Sequence, residues 1–170
     1  MKTVYLSLGS NVGERERTLQ SALDLLNASG VVIKRISSVY ETEPVDFREQ
    51  RFFLNLAAEA ETELFPMMLL DRIQKIELNL GRKRTRPAKG PRTIDIDILL
   101  YGNVRVQSAR LTIPHPRMHE RRFVLAPMCE LEPDLRHPEL RGTMCELLAR
   151  VEGQEAHKVE FRPRVPGLVG

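Results

Sequence analysis

Arg92-Thr93-Ile94-Asp95-Ile96-Asp97-Ile98-Leu99-Leu100 alternates apolar and acidic residues with a period of two. That alternation is the signature of a β-strand with one buried face. Residues i and i+2 of a strand point to the same side. Asp95 and Asp97 therefore share one side, and Ile94, Ile96 and Ile98 share the other. Adjacent carboxylates repel, so this arrangement calls for positive charge between them. A pair of Mg²⁺ ions carrying a nucleotide phosphate answers that need, because hard oxygen donors suit Mg²⁺. The segment just upstream, Gly81-Arg82-Lys83-Arg84-Thr85-Arg86-Pro87-Ala88-Lys89-Gly90-Pro91-Arg92, supplies cations that can pair with phosphate oxygens. Either feature alone has a plainer reading, an exposed strand face or a solvated loop. Together they suggest a site for a metal-bound polyphosphate.

Working outward, Val4-Tyr5-Leu6-Ser7-Leu8 reads as a buried first strand that ends at Gly9-Ser10-Asn11. Asn11 and Glu14 have the spacing of a capping box. Leu19, Ala22, Leu23 and Leu26 mark one face of a helix that stops near Gly30. Residues 31–42 are β-rich, and residues 44–51 read as a loop. In residues 52–61, Phe52, Leu54, Leu56, Ala58 and Ala60 take the core face of a strand, and Phe53, Asn55 and Ala57 the other. Leu69, Ile73, Ile76 and Leu80 predict a second helix from Pro66, at its first turn, to Gly81. Val104 and Val106 follow a Tyr101-Gly102-Asn103 turn. The order β-α-β-β-α-β predicts an α+β, ferredoxin-like fold: an antiparallel sheet with both helices on one face. The other face is free to carry Phe53, Asn55, Asp95 and Asp97. C-terminal additions follow: a Pro114-His115-Pro116 turn, a helix over 121–131, a short helix over 143–151, and an extended or frayed tail from Gly153.

With 170 residues and neither repeat nor linker, the chain reads as one domain, 1–170. A hydrophobic share of 42% and a charged share of 29% are those of an ordinary globular protein. The net charge of +3 suits an anionic ligand. The cations gather in residues 82–92 and 117–122. Cys129 and Cys145 lack CxxC spacing, which argues against zinc and leaves a disulfide open. The first residues run straight into a strand pattern with no signal-peptide core, and no apolar run approaches a membrane span. A cytoplasmic protein is the expectation. His115 and His119 lie four apart, but Pro116 intervenes and a third ligand is missing. Gly9-Ser10-Asn11 lacks the Gly-Lys-Ser/Thr ending of a Walker loop.

Gly90-Pro91-Arg92-Thr93-Ile94-Asp95-Ile96-Asp97-Ile98-Leu99-Leu100 resembles the signature of the 6-hydroxymethyl-7,8-dihydropterin pyrophosphokinases of folate biosynthesis. The resemblance extends over nearly the whole chain: Leu8-Gly9-Ser10-Asn11, Tyr40-Glu41-Thr42-Glu43-Pro44, Phe53-Leu54-Asn55, Gln74 with Glu77, Gly81-Arg82, Leu111-Thr112-Ile113-Pro114-His115-Pro116, Arg121 and Phe123. It implies a transferase that moves the β,γ-pyrophosphate of ATP to the pterin hydroxymethyl oxygen, releases AMP, and uses two Mg²⁺ ions. Asp95 and Asp97 match the metal ligands, and Arg82 and Arg92 the cationic clamps counted with them as catalytic. Thr42, Val45, Phe53, Asn55 and Phe123 match the pterin site, with the two Phe rings as a sandwich and Asn55 on the pyrimidinone edge. Gln74, Glu77, Arg84, Ile98, Thr112, His115 and Arg121 match the ATP site. No side chain is assigned as general base. A monomer acting on small molecules, without nucleic acid or membrane, is implied.

The chain departs from the family pattern at four positions. Phe53 stands where some members have Tyr, Glu43 where some have Pro, Lys89 where some have Trp, and Pro116 where some have Tyr. Two other functions compete. A ferredoxin-like nucleic-acid-binding module would need stacking aromatics on a basic sheet. The chain is only 5% aromatic and puts two acids on the candidate face. A nucleotidyltransferase would pair Gly-Ser with Asp-x-Asp close in sequence, whereas Gly9 and Asp95 are far apart.

Overall fold

The structure is a computed structural model that describes residues 1–42, 52–81 and 93–167. The strands are β1 (Lys2–Ser10), β2 (Val31–Ile36), β3 (Tyr40–Thr42), β4 (Phe53–Thr62), β5 (Asp95–Tyr101), β6 (Val106–Gln107), β7 (Thr112–Ile113) and β8 (Ala156–Lys158). The helices are α1 (Arg15–Ala28), α2 (Pro66–Asn79), α3 (Arg122–Leu131) and α4 (Met144–Ala149), with a 3₁₀ turn at Met118–Glu120. The main sheet runs β5-β1-β4-β3-β8, with β2 also paired to β4. Every pairing in it is antiparallel. β6 and β7 form a separate hairpin.

Period-two burial builds the principal core. Val4, Leu6 and Leu8 of β1, Leu54, Leu56, Ala58 and Ala60 of β4, and Ile96 and Ile98 of β5 project to one face. There they meet Leu19, Ala22, Leu23 and Leu26 of α1 and Leu69, Ile73 and Ile76 of α2. Pro66 occupies the first turn of α2, where its missing N–H costs no hydrogen bond. Gly81 follows that helix with φ of 95°.

The expectation of an uncovered second face is corrected. α3 and α4 pack on it through Val124, Leu125, Met128, Met144 and Leu147, against Tyr5, Ala57, Leu99 and Leu100. Those contacts lie at the end of the sheet away from Gly9, Asn55 and Asp95. Arg35 reinforces that cover by bridging Glu59 at 2.8 Å and Glu132 at 2.6 Å. A disulfide joins Cys129 of α3 to Cys145 of α4.

Three further local expectations change. β1 continues through Ser10, so Gly9 lies inside the strand rather than ending it. The Asn11 capping box does not form: α1 starts at Arg15 after Glu14, without a side-chain cap, and Asn11 is buried. The tail is not simply extended, because β8 pairs with β3 and Val159, Phe161 and Val165 pack against the core. A capping box does form at α4, between Thr143 and Glu146.

Candidate functional site

The register aligns four residues in a row across the sheet. Asp95 of β5 faces Gly9 of β1, Gly9 faces Asn55 of β4, and Asn55 faces Tyr40 of β3. One step further along, Asp97 faces Ser7, and Ser7 faces Ala57. Asp95 and Asp97 are half-buried, while Ile96 and Ile98 between and beyond them sink into the core. Both carboxylates thus lie on the face shared with Asn55, roughly two strand spacings or about 10 Å away between α-carbons.

β5 is an edge strand, so its outer polar groups need partners from elsewhere. Glu77 on α2 supplies one: its Oε2 accepts the Ile96 backbone N–H at 2.9 Å. A register shift at Tyr5/Leu6 leaves Leu99 as an extra residue in the β5 ladder. Its carbonyl accepts the His115 N–H at 3.0 Å. On the inner side, the Ser10 hydroxyl donates to the Thr93 carbonyl just ahead of β5.

His115 follows the cis Ile113–Pro114 bond. Its Nδ1 accepts the Arg117 backbone N–H at 3.2 Å, so the neutral ring carries its proton on Nε2. Burial, helped by the charge of Arg121, pushes this imidazole down to about 4, against the opposing pull of Asp95. Arg121 caps the start of α3. Burial lowers its guanidinium below the ordinary arginine range, and the charges of Asp97 and Asp95 oppose that. Arg121 lies over the Phe123 ring, 5.4 Å from its centroid. An imidazole N–H and a guanidinium thus share the electrostatic neighbourhood of the paired acids.

At the other end of the row, Asn55 is 3% exposed and Thr42 is likewise buried. Asn55 Nδ2 donates to Thr42 Oγ1 at 2.6 Å, which fixes the plane of the amide. Phe53 faces Thr42 across β3 and β4 and is half-buried. Behind β5, Gln74 of α2 accepts from Arg110 at 3.0 Å, and Arg110 also pairs with Asp71 at 2.9 Å. The Ile98 side chain belongs to the core, so what it offers a ligand is backbone on the outer edge of β5. Thr112 is half-buried on β7. Val45, Arg82, Arg84 and Arg92, with Glu43 and Lys89, lie outside the described residues.

The donor set fits Mg²⁺. That ion takes one or two protein carboxylates and completes its octahedron with water and phosphate oxygens, so two acids on one strand suffice. No cluster of three His, Cys, Asp or Glu able to hold a metal exists among the described residues, and His115 and His119 do not make one. Sequence reading assigned no role to Gly9, Ser10 or Arg110. A glycine inside a strand signals a close backbone or ligand approach, but in the sequence Gly9 reads as the end of β1, and only the observed extent of β1 through Ser10 brings that signal out.

Comparison with known proteins adds the family. Residues 5–133 match the model of 7,8-dihydro-6-hydroxymethylpterin-pyrophosphokinase (HPPK). The 2-amino-4-hydroxy-6-hydroxymethyldihydropteridine pyrophosphokinase of Bacillus subtilis is 48% identical over 75% of this chain and 76% of its own length. The enzyme of the same name from Aquifex aeolicus is 43% identical over 86% of this chain and 90% of its own. Folic acid synthesis protein fol1 of Schizosaccharomyces pombe is 42% identical over 90% of this chain, which spans 21% of that longer protein. Among solved structures, the HPPK-DHPS of Plasmodium falciparum with pterin and p-hydroxybenzoate superposes with a TM-score of 0.71 at 18% identity, over 88% of this chain and 43% of that one. That likeness is one of fold.

Proposed function

This chain belongs to the 7,8-dihydro-6-hydroxymethylpterin-pyrophosphokinase family, and from that premise we propose that it transfers pyrophosphate from ATP to 6-hydroxymethyl-7,8-dihydropterin in folate biosynthesis. The observation that carries the site assignment is the row Asp95–Gly9–Asn55, which puts an amide and paired carboxylates on one face of one sheet.

The pterin lies over Gly9, its pyrimidinone edge on the Asn55 amide, whose plane the Thr42 bond holds. Phe53 and Phe123 flank the ring, and ring stacking of this kind adds roughly 0.5–1.5 kcal/mol beyond burial. Val45 completes that pocket. The hydroxymethyl group then points along the row toward Asp95 and Asp97. Its oxygen attacks the β-phosphorus of ATP, the O–P bond forms as the bond to the AMP oxygen breaks, and the hydroxyl proton leaves to solvent. Catalysis of such transfers is mostly positioning and charge stabilisation.

Asp95 and Asp97 would hold two Mg²⁺ ions. When bound, Mg²⁺ neutralises triphosphate charge and lowers the pKa of a hydroxyl it contacts. Arg121 and the Nε2–H of His115 bind phosphate oxygens, and Arg82, Arg84 and Arg92 complete the clamp. Gln74, Glu77, Ile98 and Thr112 receive the nucleoside part. The strand order β5-β1-β4-β2, with α1 and α2 against one face, supports a ferredoxin-like reading of the core. A monomeric, cytoplasmic enzyme belongs to the same proposal, without nucleic acid as partner. No helix among the described residues is long and apolar enough to cross a membrane.

Chromatography of products from ATP and hydroxymethyl-dihydropterin tests the reading. AMP and pterin diphosphate formed in equal amounts are the expected result. ADP with a pterin monophosphate, or pyrophosphate with a nucleotidyl product, would overturn it.

A further inference from the structure

Gly9 lies inside β1 between the two halves of the site, paired to Asn55 on one side and Asp95 on the other. Its φ is not among the positive values that make other glycines of this chain obligatory. The reason for glycine here is space. A β-carbon at Gly9 would sit 2.6 Å from Asn55 Oδ1 and 3.7 Å from Cδ1 of Phe53. No side chain tolerates the first distance, so the Asn55 amide would have to move. It has little freedom to do so: Asn55 is 3% exposed, and its Nδ2 is engaged with Thr42 Oγ1 at 2.6 Å. Tyr40, the next residue in the row, is itself held by a 2.7 Å bond from its hydroxyl to Glu130 of α3.

We infer that Gly9 is a positioning and specificity-determining residue for the flat heterocyclic substrate: its bare α-carbon fixes where the Asn55 amide lies. The inference rests on the proposed pterin reading of this face. A methyl group there acts through Asn55: it tilts the amide away from the ring edge, and the ring held by that amide then turns off the line that leads the hydroxymethyl group to the carboxylates. The atoms nearest to a β-carbon at Gly9 belong to Asn55 and Phe53, both on the heterocycle side of the site, so its effect falls on the heterocycle rather than on ATP.

The test is Gly9→Ala, with calorimetric binding of hydroxymethyl-dihydropterin in the presence of Mg²⁺ and a non-hydrolysable ATP analogue, and of the analogue alone. We expect pterin affinity to fall at least tenfold while analogue affinity changes less than twofold, and kcat/KM for pterin to fall more than kcat. Pterin affinity within twofold of the parent, or an equal loss for both ligands, overturns the inference. The double variant Gly9→Ala with Asn55→Ala removes the clashing oxygen and so removes the steric reason for misfolding. Relative to Asn55→Ala alone it should cost less than twofold in pterin affinity; a further tenfold loss also overturns the inference. The Asn55 side-chain amide resonances supply a ligand-independent readout. Gly9→Ala should shift them and speed their exchange with solvent, and unchanged resonances contradict the inference even where the parent protein binds no pterin. Failure of the parent to bind pterin would instead overturn the functional reading.

Discussion

Glu77 Oε2 accepts the backbone N–H of Ile96 at 2.9 Å, midway between the two aspartates on the outer edge of β5. A buried carboxylate thereby does for this edge strand what a neighbouring strand would do. Glu77→Ala leaves a buried N–H without that acceptor, at a cost of about 1–3 kcal/mol. Glu77→Gln keeps an acceptor oxygen and should cost about half as much or less. The alanine variant should also need several-fold more Mg²⁺ for half-maximal turnover. Urea denaturation and a Mg²⁺ titration check both; an unchanged Mg²⁺ requirement would show that β5 holds its shape without Glu77.

The His115 imidazole, pushed down to about 4, gives a pH prediction for the metal-free and nucleotide-free protein. Between pH 4 and 6.5 the unfolded chain binds a proton on this histidine that the native state does not. Stability is therefore full above pH 6.5 and falls as pH drops, by at most about 1.4 kcal/mol per pH unit for one proton. His137 is lowered in the same direction and contributes alongside it. His115→Gln should flatten the stability–pH slope in this window by up to one proton, leaving the His137 share. An unaltered slope in urea denaturation at pH 4.5–7 would contradict the assignment.

Arg121 lies 5.4 Å from the Phe123 centroid, within cation–π range, and shares its surroundings with Asp95 and Asp97. Lysine neither stacks as a plane nor forks onto two oxygens. Arg121→Lys should lower kcat roughly tenfold or more while stability stays within about 1 kcal/mol, because lysine keeps the positive charge and ion pairing at a partly exposed position is worth about 0–1 kcal/mol. Steady-state kinetics with a thermal melt decide it; a parental kcat would remove Arg121 from the phosphate site.

β8 covers the outer edge of β3, placing Ala156 opposite Thr42. Ending the chain at Glu155 removes β8 together with Val159, Phe161 and Val165 and the 3.0 Å bond from Arg162 to the Ile36 carbonyl. The melting temperature should fall by several degrees, and pterin affinity should fall more than ATP affinity, because Thr42 anchors Asn55. Equal losses for the two ligands would show that β8 serves stability alone.

The faces of α1, α2, β5 and, from Leu54 onward, β4 were legible because burial imposes a period on sequence; Phe52, read onto the same core face, precedes β4 and is exposed. Leu19, Ala22, Leu23 and Leu26 repeat at helical spacing, and Ile94, Ile96 and Ile98 alternate. The shared side of Asp95 and Asp97 follows from the same alternation. Features set by long-range contact were not legible. The extra residue at Leu99 depends on a register shift against Tyr5, and β8 is three residues recruited by an edge 114 positions earlier, Ala156 against Thr42. Asn11 and Glu14 had capping-box spacing, but Asn11 is buried and α1 begins after Glu14. The row joining Asn55 to Asp95 needs two registers at once, which no single stretch of sequence contains.

Asp97→Asn tests the central claim most directly. Mn²⁺ binding, followed by electron paramagnetic resonance in the presence of a non-hydrolysable ATP analogue, counts the ions that the two carboxylates hold. The parent protein should bind two Mn²⁺ per chain with the analogue, and Asp97→Asn should bind the second at least tenfold more weakly, with AMP formation falling at least a hundredfold. Equal ion occupancy and near-parental AMP formation in the variant would mean that the acids of β5 do not carry the metal-bound triphosphate.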